Sequence, residues 1–153
     1  MSTTWYLAVE GVTGDTRAEG HEGELEIRSW NWGLTNERSP NSLAASGRPV
    51  LADLVVSVPS ASGTLQLLQF CATGRQAESV VLSGIRDGAD FAFLEYDLQR
   101  ASVSSLTQVT DDDGELTNRA AFRFRGMTAT LVTPNPDGSP GEIRRIEVGS
   151  LTR

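Results

Sequence analysis

Along most of this chain apolar and polar positions alternate with a period of two, the spacing of half-buried β-strands. Residues Trp5 to Val9 read as a first strand, closed by the turn-rich run GVTGDTRAEG. A long strand follows from about Glu22 to Leu34, and its pattern contains a flaw. Leu25 and Ile27 place odd positions inward, whereas Trp30, Trp32 and Leu34 place even positions inward. A regular strand cannot do both, because successive side chains point to opposite faces. A β-bulge or bend near Arg28 and Ser29 reconciles the two halves. Such a bend suits a barrel or a strongly coiled sheet better than a flat one. Trp30 and Trp32, two of the three tryptophans, share one face and require cover, since each buries roughly 150–250 Å².

The polar run TNERSPNSLAASGRP, residues 35–49, is longer than an ordinary connection and is read as a functional or mobile loop. Leu51 to Val58 is a strand. After Pro59 the spacing predicts the one helix, with an N-cap at Ser60 or Ser62, an apolar face of Leu65, Leu68 and Ala72, and a stop at Gly74. Strands are then predicted over 79–85, in a long return strand reaching from Phe91 to Val103, over 116–132 and over 142–151. Asp87-Gly88 makes the first intervening turn, an acidic turn TDDDGE the second and a Pro/Gly loop TPNPDGSPG the third. About seven strands and one helix give a mainly β fold: an antiparallel β-barrel or two-sheet sandwich with one flanking α-helix, as a single domain over 1–153.

Composition narrows the function more than the fold. The formal net charge is −7, which argues against nucleic-acid binding because that needs a basic footprint. All 13 basic residues are arginine, a mark of a GC-rich genome. The start of the chain lacks a signal-peptide pattern, and no window approaches the roughly 20 apolar residues of a membrane-spanning helix. Cys71 is the only cysteine, so no internal disulfide forms, and its apolar neighbours Phe70 and Ala72 mark it as a buried small hydrophobe.

Three groupings resemble reactive sites, and each has a plainer reading. Asp111, Asp112, Asp113 and Glu115 suggest a calcium loop, but Gly114 comes too early and position twelve is Phe122. A solvated hairpin tip, with Asp113-Gly114 as the turn pair, fits better. His21 beside Glu22 and Glu24 lacks a second strong ligand and reads as a structural histidine at a strand entrance. Glu95 and Asp97 share a strand face as paired carboxylates of a hydrolase would, yet nothing in the sequence raises either pKa. No phosphate loop, nucleophile elbow or Cys-x-x-Cys pair is present. No catalytic residue, metal site or cofactor is therefore expected. A strand-rich chain with few sites fits assembly, because closed rings cover open sheet edges.

The ordered set of motifs resembles the hemolysin-coregulated proteins (Hcp) of type VI secretion systems. It runs from the Gly11-x-x-Gly14 turn through His21, Leu25, Ile27 and Trp30-x-Trp32-Gly33. Asp53-Leu54, the helix ending at Gly74, the strand 77–86 and Leu116-Thr117 with Phe122 and Phe124 complete it. The resemblance implies a tube subunit: homohexameric rings that stack, are driven out by a contracting sheath, and carry effector proteins in the lumen. It implies sheath and spike or baseplate partners, assembly in the cytoplasm, and export without a signal peptide. Tail-tube proteins of phage-like injection devices share this pattern, and a monomeric ligand-binding sandwich is the remaining alternative. Two departures stand out: Val-Pro-Ser-Ala-Ser-Gly follows the third strand where many members carry Lys and Asp, and Pro40 and Arg48-Pro49 replace a Gly-rich segment. On this reading Asn31 faces the lumen and touches cargo, and His21, Trp30, Trp32 and Gly33 are structural. Arg38, Pro40, Asn41 and Arg48 belong to the loop that contacts the next ring. The excess of acid gives a negative tube that disfavours acidic cargo, although local surfaces are free to differ.

Overall fold

The computed structural model describes residues 2–37, 48–59 and 63–149. Two antiparallel sheets stack face to face. The first holds six strands: β1 (Thr3–Val9), β2 (Leu25–Ile27), β8 (Val80–Arg86), β9 (Ala92–Gln99), β12 (Gly126–Pro134) and β13 (Pro140–Gly149), in the order β13-β12-β9-β8-β1-β2. The second holds β3 (Ser29–Asn31), β6 (Leu54–Val58), β7 (Gln76–Ala77), β10 (Ala101–Thr110) and β11 (Leu116–Arg123), in the order β3-β6-β11-β10-β7. A separate pair, β4 (Leu34–Glu37) with β5 (Arg48–Leu51), stands apart from both. The helix α1 spans Thr64–Thr73. The sandwich form of the predicted fold class is the one adopted, since neither sheet closes on itself into a barrel.

The strand count exceeds the expected seven because long alternating stretches are broken at corners. After β2 a single residue, Arg28, carries the chain from the first sheet into the second, its N–H bonded to the Ser57 carbonyl at 2.9 Å. The parity slip near Arg28 and Ser29 is therefore a change of sheet, a device by which packed sheets share a strand. The same happens at residues 78–79, at Arg100 and at Phe124 and Arg125. Arg100 has φ 55, the one positive φ outside glycine among the described residues. At each corner consecutive inward residues are three apart: Ile27 and Trp30, Ala77 and Val80, Leu98 and Ala101, Phe124 and Met127. The predicted return strand reaching to Val103 and the predicted strand 116–132 are thus each two strands in different sheets.

The core lies between the sheets, with Leu7, Leu82, Leu54, Val56 and Phe122 fully enclosed. The helix closes one side of it against β10. Its buried residues are Leu67 and Phe70, with Cys71 half-buried against the core. The expected apolar face is the outer one, since Leu65 is 77% exposed, Leu68 41% exposed and Ala72 exposed. Both faces carry apolar residues at helical spacing, so periodicity alone does not choose between them. Ser60 and Ser62 lie outside the described residues; the cap position is Gly63, which makes no side-chain cap bond. Gly63 has φ 68, and a Cβ there would come within 2.8 Å of Val12 and 3.0 Å of Leu25, so only glycine seats the helix this close. At the other end Gly74 stops the helix as predicted, in a left-handed conformation with its N–H bonded to the Phe70 carbonyl.

Candidate functional site

The tryptophans of the β3 region belong to a chain of edge-to-face aromatic contacts that bridges the sheets. Phe93 meets Trp5 at 5.8 Å, Trp5 meets Trp30 at 5.0 Å, and Trp30 meets Tyr96 at 5.6 Å. Tyr96 then meets Trp32 at 5.8 Å, and Trp32 meets Phe124 at 6.1 Å. Such pairs add about 0.5–1.5 kcal/mol each beyond buried area. Trp30 and Trp32 thus share one side, as their spacing requires. Both are half-buried against the core, and the Trp32 side chain also hydrogen-bonds Tyr96. Burial raises the Tyr96 pKa above the ordinary tyrosine value, with the Trp32 bond acting weakly against it. Gly84 makes this chain possible, because a Cβ there would lie 2.6 Å from the Trp5 ring. Gly33 lies beyond β3, and its carbonyl accepts the Ala52 N–H at 2.9 Å.

Asn31 lies between the two tryptophans in sequence and is exposed on the opposite side, the outer face of the five-stranded sheet. Beside it on β6 are Val55 and Ser57, and beyond those, on β11, Ala121 and Arg119. Asp53, just before β6, accepts a 2.7 Å bond from Ser104 at the bulge in β10, and Leu54 is core. These two residues of the resemblance therefore fix β6 against β10.

His21 does not approach a metal-ligand set. Its Nδ1 is 2.8 Å from Glu24 Oε1, and its ring stacks on Tyr6 with centroids 4.5 Å apart and an interplanar angle of 9°. The Thr16 hydroxyl donates to the His21 carbonyl at 3.0 Å. These contacts fasten the 16–24 segment to β1, and Glu22 takes no part, remaining exposed. Burial, then the charges of Glu26 and Glu24, push the Tyr6 pKa up.

The loop assigned to ring stacking is built differently from its prediction. Its two ends are strands, with Thr35 opposite Val50 and Glu37 opposite Arg48. Arg48 therefore begins β5, whereas Arg38, Pro40 and Asn41 lie outside the described residues. Leu34 and Val50 expose 44% and 41% of their surface on this arm.

The carboxylate groupings resolve into turns and outer faces. Asp111 Oδ1 accepts the N–H groups of Asp113 and Glu115, both at 2.9 Å, and its carbonyl accepts the Gly114 N–H at 2.9 Å. The hairpin tip is as expected, but its central pair is Asp112-Asp113, with Gly114 following. Glu95 accepts from Ser83 at 3.3 Å on the outer face of the six-stranded sheet, and Asp97 lies two residues on. Among the described residues no three His, Cys, Asp or Glu side chains gather as a metal site.

Sequence patterning missed an uncovered surface. Met127, Ala129 and Leu131 alternate toward the core side of β12, and their partners on β13 are Val148, Ile146 and Arg144. Met127 is buried and Val148 packs against the core, but Leu131 is 43% and Ile146 63% exposed. The face that forms the core elsewhere here runs on beyond its cover. The signal was present in the apolar Ile143 and Ile146, though a terminal strand gives no hint of which face lies uncovered. No helix among the described residues is long and apolar enough to cross a membrane.

Several solved structures share this fold. A type six secretion system protein shares the fold at TM-score 0.85 and 20% identity, over 94% of this chain and 92% of that one. Hcp1 from Salmonella typhimurium matches at TM-score 0.81 and 16% identity, covering 98% and 96% respectively. A type VI secretion system effector from Yersinia pestis matches at 0.79 and 14%, covering 95% and 98%. No protein of curated function matches the sequence. Residues 6–131 match the family described as "Type VI secretion system effector, Hcp", and the chain belongs to that family.

Proposed function

We propose that this chain is a non-catalytic structural subunit that closes into homohexameric rings, which stack into the inner tube of a type VI secretion system. The observation that carries this reading is the uncovered apolar face of β12 and β13. Leu131 and Ile146 continue the core side of the six-stranded sheet into solvent, beside the unpaired edge of a ten-residue strand. A long open edge with apolar neighbours is an aggregation hazard unless something covers it. A second copy, repeated around a closed ring, covers it without leaving an open end. The β4–β5 arm, a separate two-stranded sheet with Leu34 and Val50 exposed, is the contact to the next ring, through Arg38, Pro40, Asn41 and Arg48. Asn31 and the outer face of the five-stranded sheet then line the lumen, where effector proteins are carried. Sheath and spike or baseplate components are the remaining partners. The subunit assembles in the cytoplasm and leaves with the tube.

Native mass spectrometry with negative-stain imaging tests the reading. Six-membered rings are expected for the unaltered protein, and folded monomers for Ile146→Asp. A stable monomer of the unaltered protein at tens of micromolar, with no rings on the grid, overturns it.

A further inference from the structure

The two outer faces of the sandwich differ in charge. The six-stranded sheet presents Glu26, Glu95, Asp97 and Glu147 outward against one arginine, Arg145, in keeping with the chain's net charge of −7. The five-stranded sheet presents Arg119 and Arg123 outward from β11, both exposed. Arg119 stands between Ser57 and Thr107, and Arg123 stands beside Ser102. Ala121, between the two arginines, has Val55 and Ser105 as neighbours. The floor is therefore short side chains, and the guanidinium groups rise above it. They stand four residue steps apart along the strand, about 13 Å at roughly 3.3 Å per step. Neither arginine has an ion-pair partner among the described residues. The carboxylate at the margin, Asp53, is engaged by Ser104.

The chain has 20 acidic residues, yet among the described residues no carboxylate forms an ion pair with either arginine. We propose that the Asn31 face receives acidic protein surfaces, with Arg119 and Arg123 binding their carboxylates. A guanidinium fork matches a carboxylate with two parallel hydrogen bonds. Asn31, Ser57 and Thr107 beside the arginines supply neutral donors and acceptors for the polar groups around such a carboxylate. The placement in a lumen rests on the ring reading above. Around a closed wall the pairs face one another across a confined space, so the local field is positive while the whole particle is negative. Single-stranded nucleic acid is the lesser fit, because it uses aromatic platforms for its bases and this face has none among its described residues.

The test is fluorescence anisotropy of the unaltered protein with labelled oligoglutamate and oligothymidylate of equal length, with imaging of the same samples. Oligoglutamate should bind more tightly than oligothymidylate, and its binding should weaken as salt is raised. Arg119→Gln with Arg123→Gln should lose roughly ten-fold or more of that binding. Both positions are exposed strand sites, so thermal unfolding and ring images should stay as they were. Unchanged binding by the double variant, or tighter binding of oligothymidylate, overturns the proposal. Rings that form without oligoglutamate preference refute this inference alone. Missing rings refute the assembly reading, and the double variant still decides whether the arginine pair binds acid.

Discussion

β11 and β13 are the second strands of two successive hairpins, yet they meet opposite fates. β11 buries Asn118, Ala120, Ala121 and Phe122, whereas β13 buries none of its ten residues. The difference is position, because β11 is third of five in its sheet and β13 is an edge strand of the other. β11 even encloses a polar side chain. Asn118 accepts from Gln108 at 2.9 Å and donates to Thr64 at 2.7 Å, tying hairpin to helix. Satisfied in this way, a buried amide adds specificity to the fold rather than a penalty. β13 has no such inward partner, and its Ile143 and Ile146 remain exposed. The two strands thus divide the work, one completing the fold and the other offering a surface.

Substitutions should separate those roles. Phe122→Ala, in the fully enclosed half, should destabilise by about 3–5 kcal/mol, seen as a large fall in the denaturant midpoint. Gly84→Ala pushes a methyl into the Trp5 ring and should cost about 1–3 kcal/mol, with changed tryptophan fluorescence. Tyr96 gives a pH-dependent test. Burial keeps its phenol protonated in the folded state to higher pH than in the unfolded chain, so the unfolded chain releases that proton first. Stability should hold below pH 10 and fall as pH climbs above it, toward the raised folded-state value. Tyr96→Phe should make that alkaline fall shallower, with Tyr6 supplying the remainder in the same direction. Ile146→Ser should change monomer stability by no more than about 0.5 kcal/mol. If it instead behaves like Phe122→Ala, β13 is part of the fold after all and the contrast with β11 fails.

Much of this fold is legible from alternation, but the sheet changes show where alternation is easily misread. The switch from Ile27 to Trp30 is visible as a parity slip, and it marks a corner. Leu98 to Ala101 and Phe124 to Met127 show the same three-residue step, yet they read as uninterrupted strands. These steps also pass through polar residues, Gln99-Arg100 and Arg125, but no pair of tryptophans beyond them fixes the new parity as Trp30 and Trp32 do. The helix face was illegible for a different reason. Leu65 and Leu68 match the apolar period as well as Leu67 and Phe70 do, and only the position of Gly63 against Val12 and Leu25 selects between them. At the candidate site, the outward direction of Asn31 follows from its place between Trp30 and Trp32. The bare arginine pair does not, because strand partners such as Ser57 and Thr107 are far away in sequence.

The corners carry a mechanical meaning as well. Two sheets held by side-chain packing alone can shear past one another, since dispersion contacts have little resistance to sliding. Here the backbone crosses from sheet to sheet at Arg28, at 78–79, at Arg100 and at Phe124 and Arg125, each time within one or two residues. A residue spans at most about 3.6 Å, so each crossing is a tether too short to allow slip. Force applied to either sheet passes into the other through covalent bonds, and the sandwich moves as one piece.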